Sequence, residues 1–399
     1  MNSMTTSHSP SPSPAALQRR RVHYFSGFDP RGPAHYHRLC RDEAAKPQPQ
    51  GGVVQVDRRE KQSRLFSRWQ VSWQASADGP ESVQTEHVFM SWDDLIRANW
   101  SRSPWALLRE FVQTYVGIVR DVGPRRVKQM YDNAYLTGIL PAVYLLGTLL
   151  LGVLVGLGAS LVLGAWGWLA TLPVVAGLWA YGAHKGLFWL LRIFTFIIRM
   201  GRGPLPGLAA RTRQWVDDMV QRQQEDPVDE VLLVGHSVGT LVMVDAVDQL
   251  MRDPRWQALQ QGRTTGMVTL GQCCPFVALV PAAQTFRDTL QRVCSAPGLL
   301  WWDVSARIDP LCFYNTHPLA RSGTAHEGLP LPVLHNAKFF QMYESANWAR
   351  IRADKLQTHF LYLMTPDKVG NFHLADVLYG PRSLPQQVAA KGLPEKGAA

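Results

Sequence analysis

The chain has 399 residues, 46% of them hydrophobic and only 18% charged, against a usual charged share of about 25%. That composition excludes a mainly disordered chain and implies that part of the protein faces something other than water. Lys and Arg number 41 against 31 Asp and Glu, a net charge of +10. The five cysteines (Cys40, Cys273, Cys274, Cys294, Cys312) form no C-x-x-C pair and no Cys/His ligand spacing. This argues against a disulfide scaffold or a structural zinc site and for reduced thiols in a cytosol-facing domain.

Residues 1–20 are predicted to be a disordered tail, rich in Ser and Pro and without the apolar run of a secretory signal. Arg19, Arg20 and Arg21 read as a solvated basic cluster, with contact to anionic lipid as the alternative. Over 21–132 the pattern predicts a strand at 21–25, a loop at 26–32 and a helix at 35–45. His35 and His37 lie on that helix as surface residues, not metal ligands. Short strands follow at 53–56, 69–73 and 86–91; Trp69, Val71 and Trp73 alternate as on a half-buried strand. Asp93 and Asp94 read as a helix cap, and 104–122 reads as helix.

Between Asp132 and Lys185 stand 52 residues without one Asp, Glu, Lys or Arg. A bilayer core about 30 Å thick needs ~20 apolar helical residues, so 133–200 is predicted to hold a transmembrane hairpin and a juxtamembrane helix. The spans are placed at 137–162 and 166–190, with the turn at 164–168, where Trp166 and Trp168 suit an interface. Arg120, Arg125, Arg126 and Lys128 precede the run; Lys185, Arg192, Arg199 and Arg202 follow it or overlap its end. The positive-inside rule then puts both termini in the cytoplasm, as expected of a multi-pass protein of a bacterial inner membrane. Residues 186–200 either extend the second helix or lie along the surface. Gly152, Gly156, Ser160 and Gly164 recur every four residues, a stripe for close helix approach. Its partner is the second span or a second copy.

After a helical stretch at 209–224, residues 229–234 form a buried-type apolar run. It ends in Gly235-His236-Ser237-Val238-Gly239, and 240–251 are apolar at helical spacing. Strand, G-x-S-x-G, helix is the context in which a serine is lifted out of a sheet on a strained turn. Side chains at Gly235 and Gly239 would clash with nearby backbone, and the following helix N-terminus offers N–H groups to an oxyanion.

At this elbow the sequence resembles the α/β-hydrolase superfamily, especially its lipase- and esterase-like members. The resemblance implies an α/β fold: a mostly parallel sheet flanked by helices, interrupted here by the two-helix hairpin. It also implies a nucleophile, acid, histidine order along 201–380. Predicted strands at 266–270 and 299–304 flank a helix at 282–293. Asp309, in a loop beyond the second of these strands, matches the acid position; Asp303, within the strand, is the rival. A last strand is predicted at 337–343. His359, in an H-x-x-Y-L run, follows it as the implied base, with His373, then His335 or His317, as competitors. The resemblance also implies oxyanion N–H groups at Phe28 and Val238, with Ser26 where the family often has His. The 53–91 strands between the first helix and the next strand depart from the family's usual order. Residues 381–399 read as a loose tail.

The resemblance implies a membrane-anchored serine hydrolase acting on an ester, a lipid or other acyl ester, with no metal or organic cofactor. An acyltransferase with the same triad, or a non-catalytic membrane scaffold, is the alternative. Nucleic-acid binding is not expected, because much of the basic excess flanks the membrane run.

Overall fold

The computed structural model describes residues 17–75, 82–123, 132–320 and 322–392. The readings for 1–16, for Arg125, Arg126 and Lys128, and for 393–399 lie outside them.

The core is one nine-stranded sheet. Its strands are β1 (Arg19–Phe25), β2 (Val53–Val56), β3 (Glu60–Lys61), β4 (Phe66–Gln74), β5 (Ser82–Met90), β6 (Glu230–His236), β7 (Thr264–Leu270), β8 (Leu299–Ser305) and β9 (Val333–Asn336). In space they run β2-β4-β5-β1-β6-β7-β8-β9, with β3 paired to β4. From β5 to β9 every pairing is parallel; the pairings of β4 are antiparallel. The 53–91 strands whose order departs from the family's therefore form the outer edge.

The longer helices are α1 (Pro33–Ala44), α2 (Pro104–Gly117), α3 (Asp132–Leu163), α4 (Thr171–His184), α5 (Leu187–Arg202), α6 (Leu208–Glu225), α7 (Gly239–Arg252) and α8 (Gln284–Cys294). Both faces of the central strands are covered, as a parallel sheet requires. Val231 and Leu233 face one core with Phe25, Trp215 and Val244. Leu232 and Val234 face the other with Val22, Tyr36 and Tyr379.

Arg20 and Arg21 are buried, not solvated or at lipid. Central strand β1 carries them between acidic neighbours. Arg20 Nε donates to Glu230 Oε2 at 2.6 Å, and Arg21 Nε to Glu86 Oε2 at 2.5 Å. The pairing compensates charges that burial alone would make costly. Two further corrections concern the C-terminal part. The last strand is Val333–Asn336, not 337–343, where Phe339–Gln341 form a 3-10 turn. The supposed loose tail contains a helix, Leu384–Ala390, with a Ser383/Gln386 capping box and buried Leu384 and Val388.

Among the described residues, one helical stretch, Leu136–His184, is long and apolar enough to cross a membrane by length and composition. Within it the chain folds back on itself. α3 ends at Leu163, Gly164–Ala170 form a 3-10 segment, and α4 returns. Thr171 Oγ1 donates to the Gly152 carbonyl at 3.0 Å, and Tyr144 donates to the Leu178 carbonyl. A Cβ on Gly152 would lie 2.9 Å from Val175, and one on Gly156 2.5 Å from Trp168. The small-residue stripe thus faces the chain's own returning segment.

The second helix is shorter than predicted. Gly186, at φ 74°, breaks the chain after Lys185, and residues 187–190 begin α5. Helix α5 neither extends α4 nor lies along the surface. Leu190, Ile193, Phe194, Phe196 and Ile197 are buried in the core beside the sheet. Thr195 on α5 hydrogen-bonds Thr114 on α2 at 2.7 Å. Both ends of the apolar stretch therefore return to one sheet domain.

Candidate active site

Strands β1 and β6 are adjacent and parallel, with Phe25 opposite Gly235. The loops after them, carrying Phe28 and Ser237, consequently emerge side by side. Ser237 sits between β6 and α7 at φ 54°, one of three described non-glycine residues with positive φ. Such a conformation is strained for an L side chain and persists only where the surroundings enforce it. They do so here through close packing. A Cβ on Gly239 would lie 2.3 Å from the Phe25 carbonyl oxygen and 2.4 Å from that of Ser26; one on Gly235 would lie 3.0 Å from Thr240 Cα.

Asp309 and His359 meet across 50 residues. His359 Nδ1 lies 2.9 Å from both carboxylate oxygens. Asp309 also accepts from Tyr362 Oη at 3.0 Å and from the Leu311 N–H at 2.9 Å. Burial pushes its carboxyl up, but His359 and these donors outweigh that and hold it below its ordinary range. A buried carboxylate on Nδ1 orients the ring and leaves Nε2 for other work. His359 Nε2 is buried and has no hydrogen-bond partner. No hydrogen bond joins it to Ser237, whose backbone N–H donates to the Leu270 carbonyl at 2.9 Å.

His236, the residue before Ser237, packs against His359. Its ring centroid is 4.8 Å from that of His359, and its Nε2 is 3.0 Å from the His359 carbonyl oxygen. Burial, then the nearby His359, lowers its pKa to about 3, so it is neutral and its Nε2 can donate this bond. The rival residues lie apart. Asp303 accepts from Thr269 within the sheet and burial pushes its carboxyl up to about 7. His373 lines a small cavity with Tyr24 and Tyr379. His335 bonds the Asn371 carbonyl and His317 that of Leu331.

The loop after β1 is tied down on two sides. Trp92 Nε1 donates to the Ser26 carbonyl and Trp189 Nε1, from α5, to the Phe28 carbonyl, both at 3.0 Å. Asp29 holds Arg31 and accepts from Tyr36. Among the described residues, the N–H groups of Phe28 and Val238 have no hydrogen-bond acceptor, and Val238 directly follows Ser237. Sequence reasoning missed His236, Trp92, Trp189 and Tyr362 as supports. Tyr362 had a visible signal, three residues after His359; the tryptophans had none, because their partners are distant backbone carbonyls. The site is closed: Ser237 is 7% exposed and His359 1%.

Compared with known proteins, the chain matches no family model, none of the curated proteins and no solved structure.

Proposed function

We propose that the protein is a serine hydrolase of the α/β-hydrolase type, anchored in a membrane by a two-span hairpin, that cleaves an acyl ester. The observation that carries this reading is the strained Ser237 on a strand-to-helix turn that tolerates only glycine two residues on, whose neighbour His236 packs against the His359 ring of a buried Asp309–His359 pair. Ser237, Asp309 and His359 also follow the chain order of that superfamily's triads.

In the proposed reaction His359 Nε2 takes the Ser237 hydroxyl proton as Oγ attacks the acyl carbonyl. Asp309 keeps Nδ1 protonated and stabilises the imidazolium. The N–H groups of Phe28 and Val238 receive the oxyanion. His359 then gives its proton to the leaving alcohol, and a water activated by the same imidazole releases the acid. The unmade Ser237–His359 bond fits a site awaiting substrate, since such bonds often tighten only in the complex.

The membrane part rests on exposure. Leu146, Leu150, Leu154, Leu161 and Val162 stand out from the molecule, as do Trp166 and Leu169 at the turn. Such a continuous apolar surface is foreign to water. At about 1.5 Å per residue, the 32 residues of α3 reach roughly 48 Å, enough for a bilayer core. Both arms end on one sheet domain, so the crossing number must be even.

Turnover of a panel of acyl esters in detergent tests the reading. We expect hydrolysis by the native chain and loss of about 10⁴-fold or more in Ser237→Ala and Asp309→Asn. Undiminished turnover in either variant contradicts it.

A further inference from the structure

A cleft of about 1040 Å³ opens where the apolar hairpin meets the sheet domain. On one side it touches the candidate catalytic loops: Ile308 and Pro310, which flank Asp309, and Gln357, two residues before His359. Its greasy wall is Leu136 and Leu140 of α3, Leu187 and Leu190 of α5, and Leu356. Leu136 and Leu140 are exposed and begin the same outer surface that continues along α3 to Leu154 and Leu161. The wall is thus continuous with the part of the molecule that would lie among acyl chains.

The charged lining is mainly basic, three cations to one carboxylate. Lys185, Arg350 and Lys355 line the cleft, and none of the three has an ion pair among the described residues. The acid beside them, Asp354, is engaged as a cap, accepting from the N–H groups of Leu356 and Gln357 at 3.0 and 3.1 Å. Arg350 donates to Asn347 and Lys185 lies over the Tyr181 ring, but no carboxylate among the described residues pairs with any of the three, and a greasy wall with such cations at its base fits a molecule that is apolar at one end and anionic at the other.

We infer that this cleft binds an anionic phospholipid of the leaflet in which the hairpin sits. The inference rests on the membrane-anchor part of the reading above and not on its hydrolase chemistry. The headgroup phosphate would meet Lys185, Arg350 and Lys355, while one acyl chain lies along Leu136 and Leu140 and stays in the bilayer. Zwitterionic lipid offers the same chains and esters, but its headgroup cation opposes the three bases.

The test uses the full chain with Ser237→Ala, which cannot turn lipid over, in nanodiscs of phosphatidylcholine containing a trace of photoactivatable phosphatidylglycerol. Crosslinks are mapped by mass spectrometry and competed with unlabelled lipid. We expect label on peptides containing residues 185–190 and 350–357, displaced by phosphatidylglycerol at about tenfold lower mole fraction than by added phosphatidylcholine. Replacing the exposed side chains in Arg350→Gln/Lys355→Gln should remove that preference. Label confined to the outer face of α3, equal competition by the two lipids, or a preference unchanged in the double variant overturns the inference. Fluorophosphonate labelling of the native chain reports separately on the hydrolase reading. Labelled serine with no lipid preference sinks only the lipid; lipid preference with no labelled serine sinks only the chemistry.

Discussion

Helices α3 and α5 lie close in sequence and are both strongly apolar, yet they use that apolarity in opposite ways. On α3, leucines and valines point outward apart from the sides facing α4 and α5. On α5, the apolar residues are buried on most sides, Leu190, Ile193 and Phe194 beside the sheet and Phe188 and Leu191 against Leu107 and Leu145, while a narrow polar edge lets Arg192 and Arg199 reach partners at Ser101 and Glu110. Composition alone does not separate the two. What does is periodicity, together with a single glycine. A helix apolar on every side has no water-facing stripe, whereas a helix with a polar edge belongs against a core. Gly186 ends the first kind and permits the second.

Substituting a charge into each helix sharpens this contrast most. Leu191 on α5 is fully buried, and Leu191→Arg should cost about 4 kcal/mol or more by burying an unpaired charge. Thermal unfolding in detergent should show little or no folded protein. Leu150→Arg on the exposed side of α3 should leave unfolding of the sheet domain unchanged. It should instead raise the cost of membrane insertion by about 3 kcal/mol and shift protein from the membrane to the supernatant on flotation. Equal loss of folding in both variants would break the comparison.

Acid should also strike the two regions unequally. Burial lowers the pKa of His87 and His236 to about 3, and of His317 and His373 to about 4. All four belong to the sheet domain. Their folded values lie below the unfolded one, so the unfolded chain binds more protons over this range. The stability they confer is present above about pH 6.5 and falls as pH drops below it, by about 2 kcal/mol at pH 5 for each of the fully buried pair. Melting temperature should decline from pH 7 to pH 5, while flotation with vesicles persists. A melting temperature that rises on acidification contradicts the burial of these rings.

The smallest expected effect concerns how α5 serves the site. Trp189→Ala removes the hydrogen bond to the Phe28 carbonyl and should lower kcat about tenfold, with little change in KM, by loosening the oxyanion loop. Trp168→Ala at the far turn of the hairpin should leave kcat as it is. Equal effects of the two would mean that α5 is only a spacer.

The strand, elbow and helix around Ser237 were legible because their signals are local: a β-branched run, two glycines and a helical period within 25 residues. Asp309 and His359 were legible through order along the chain, since nothing in their neighbourhoods states that they meet. The boundary at Gly186 was missed because apolar residues continue across it, and only the φ of that glycine distinguishes an interruption from a longer span. Arg20 and Arg21 were misread because their compensation comes from Glu230 and Glu86, brought alongside by strand pairing over long separations. The final strand was set too late because Phe339–Gln341 form a turn, with Phe339 packed on Tyr362 and Tyr343 on Trp348 rather than alternating along a strand.

The central claim is that Ser237 is a nucleophile activated by a buried His–Asp pair. Treating the membrane-embedded native chain with a fluorophosphonate and mapping the adduct by mass spectrometry tests it most directly. The account expects a single modified peptide bearing the adduct on Ser237, and its disappearance in His359→Ala. An unmodified Ser237 under conditions that label a control hydrolase, or labelling that survives loss of His359 undiminished, contradicts it.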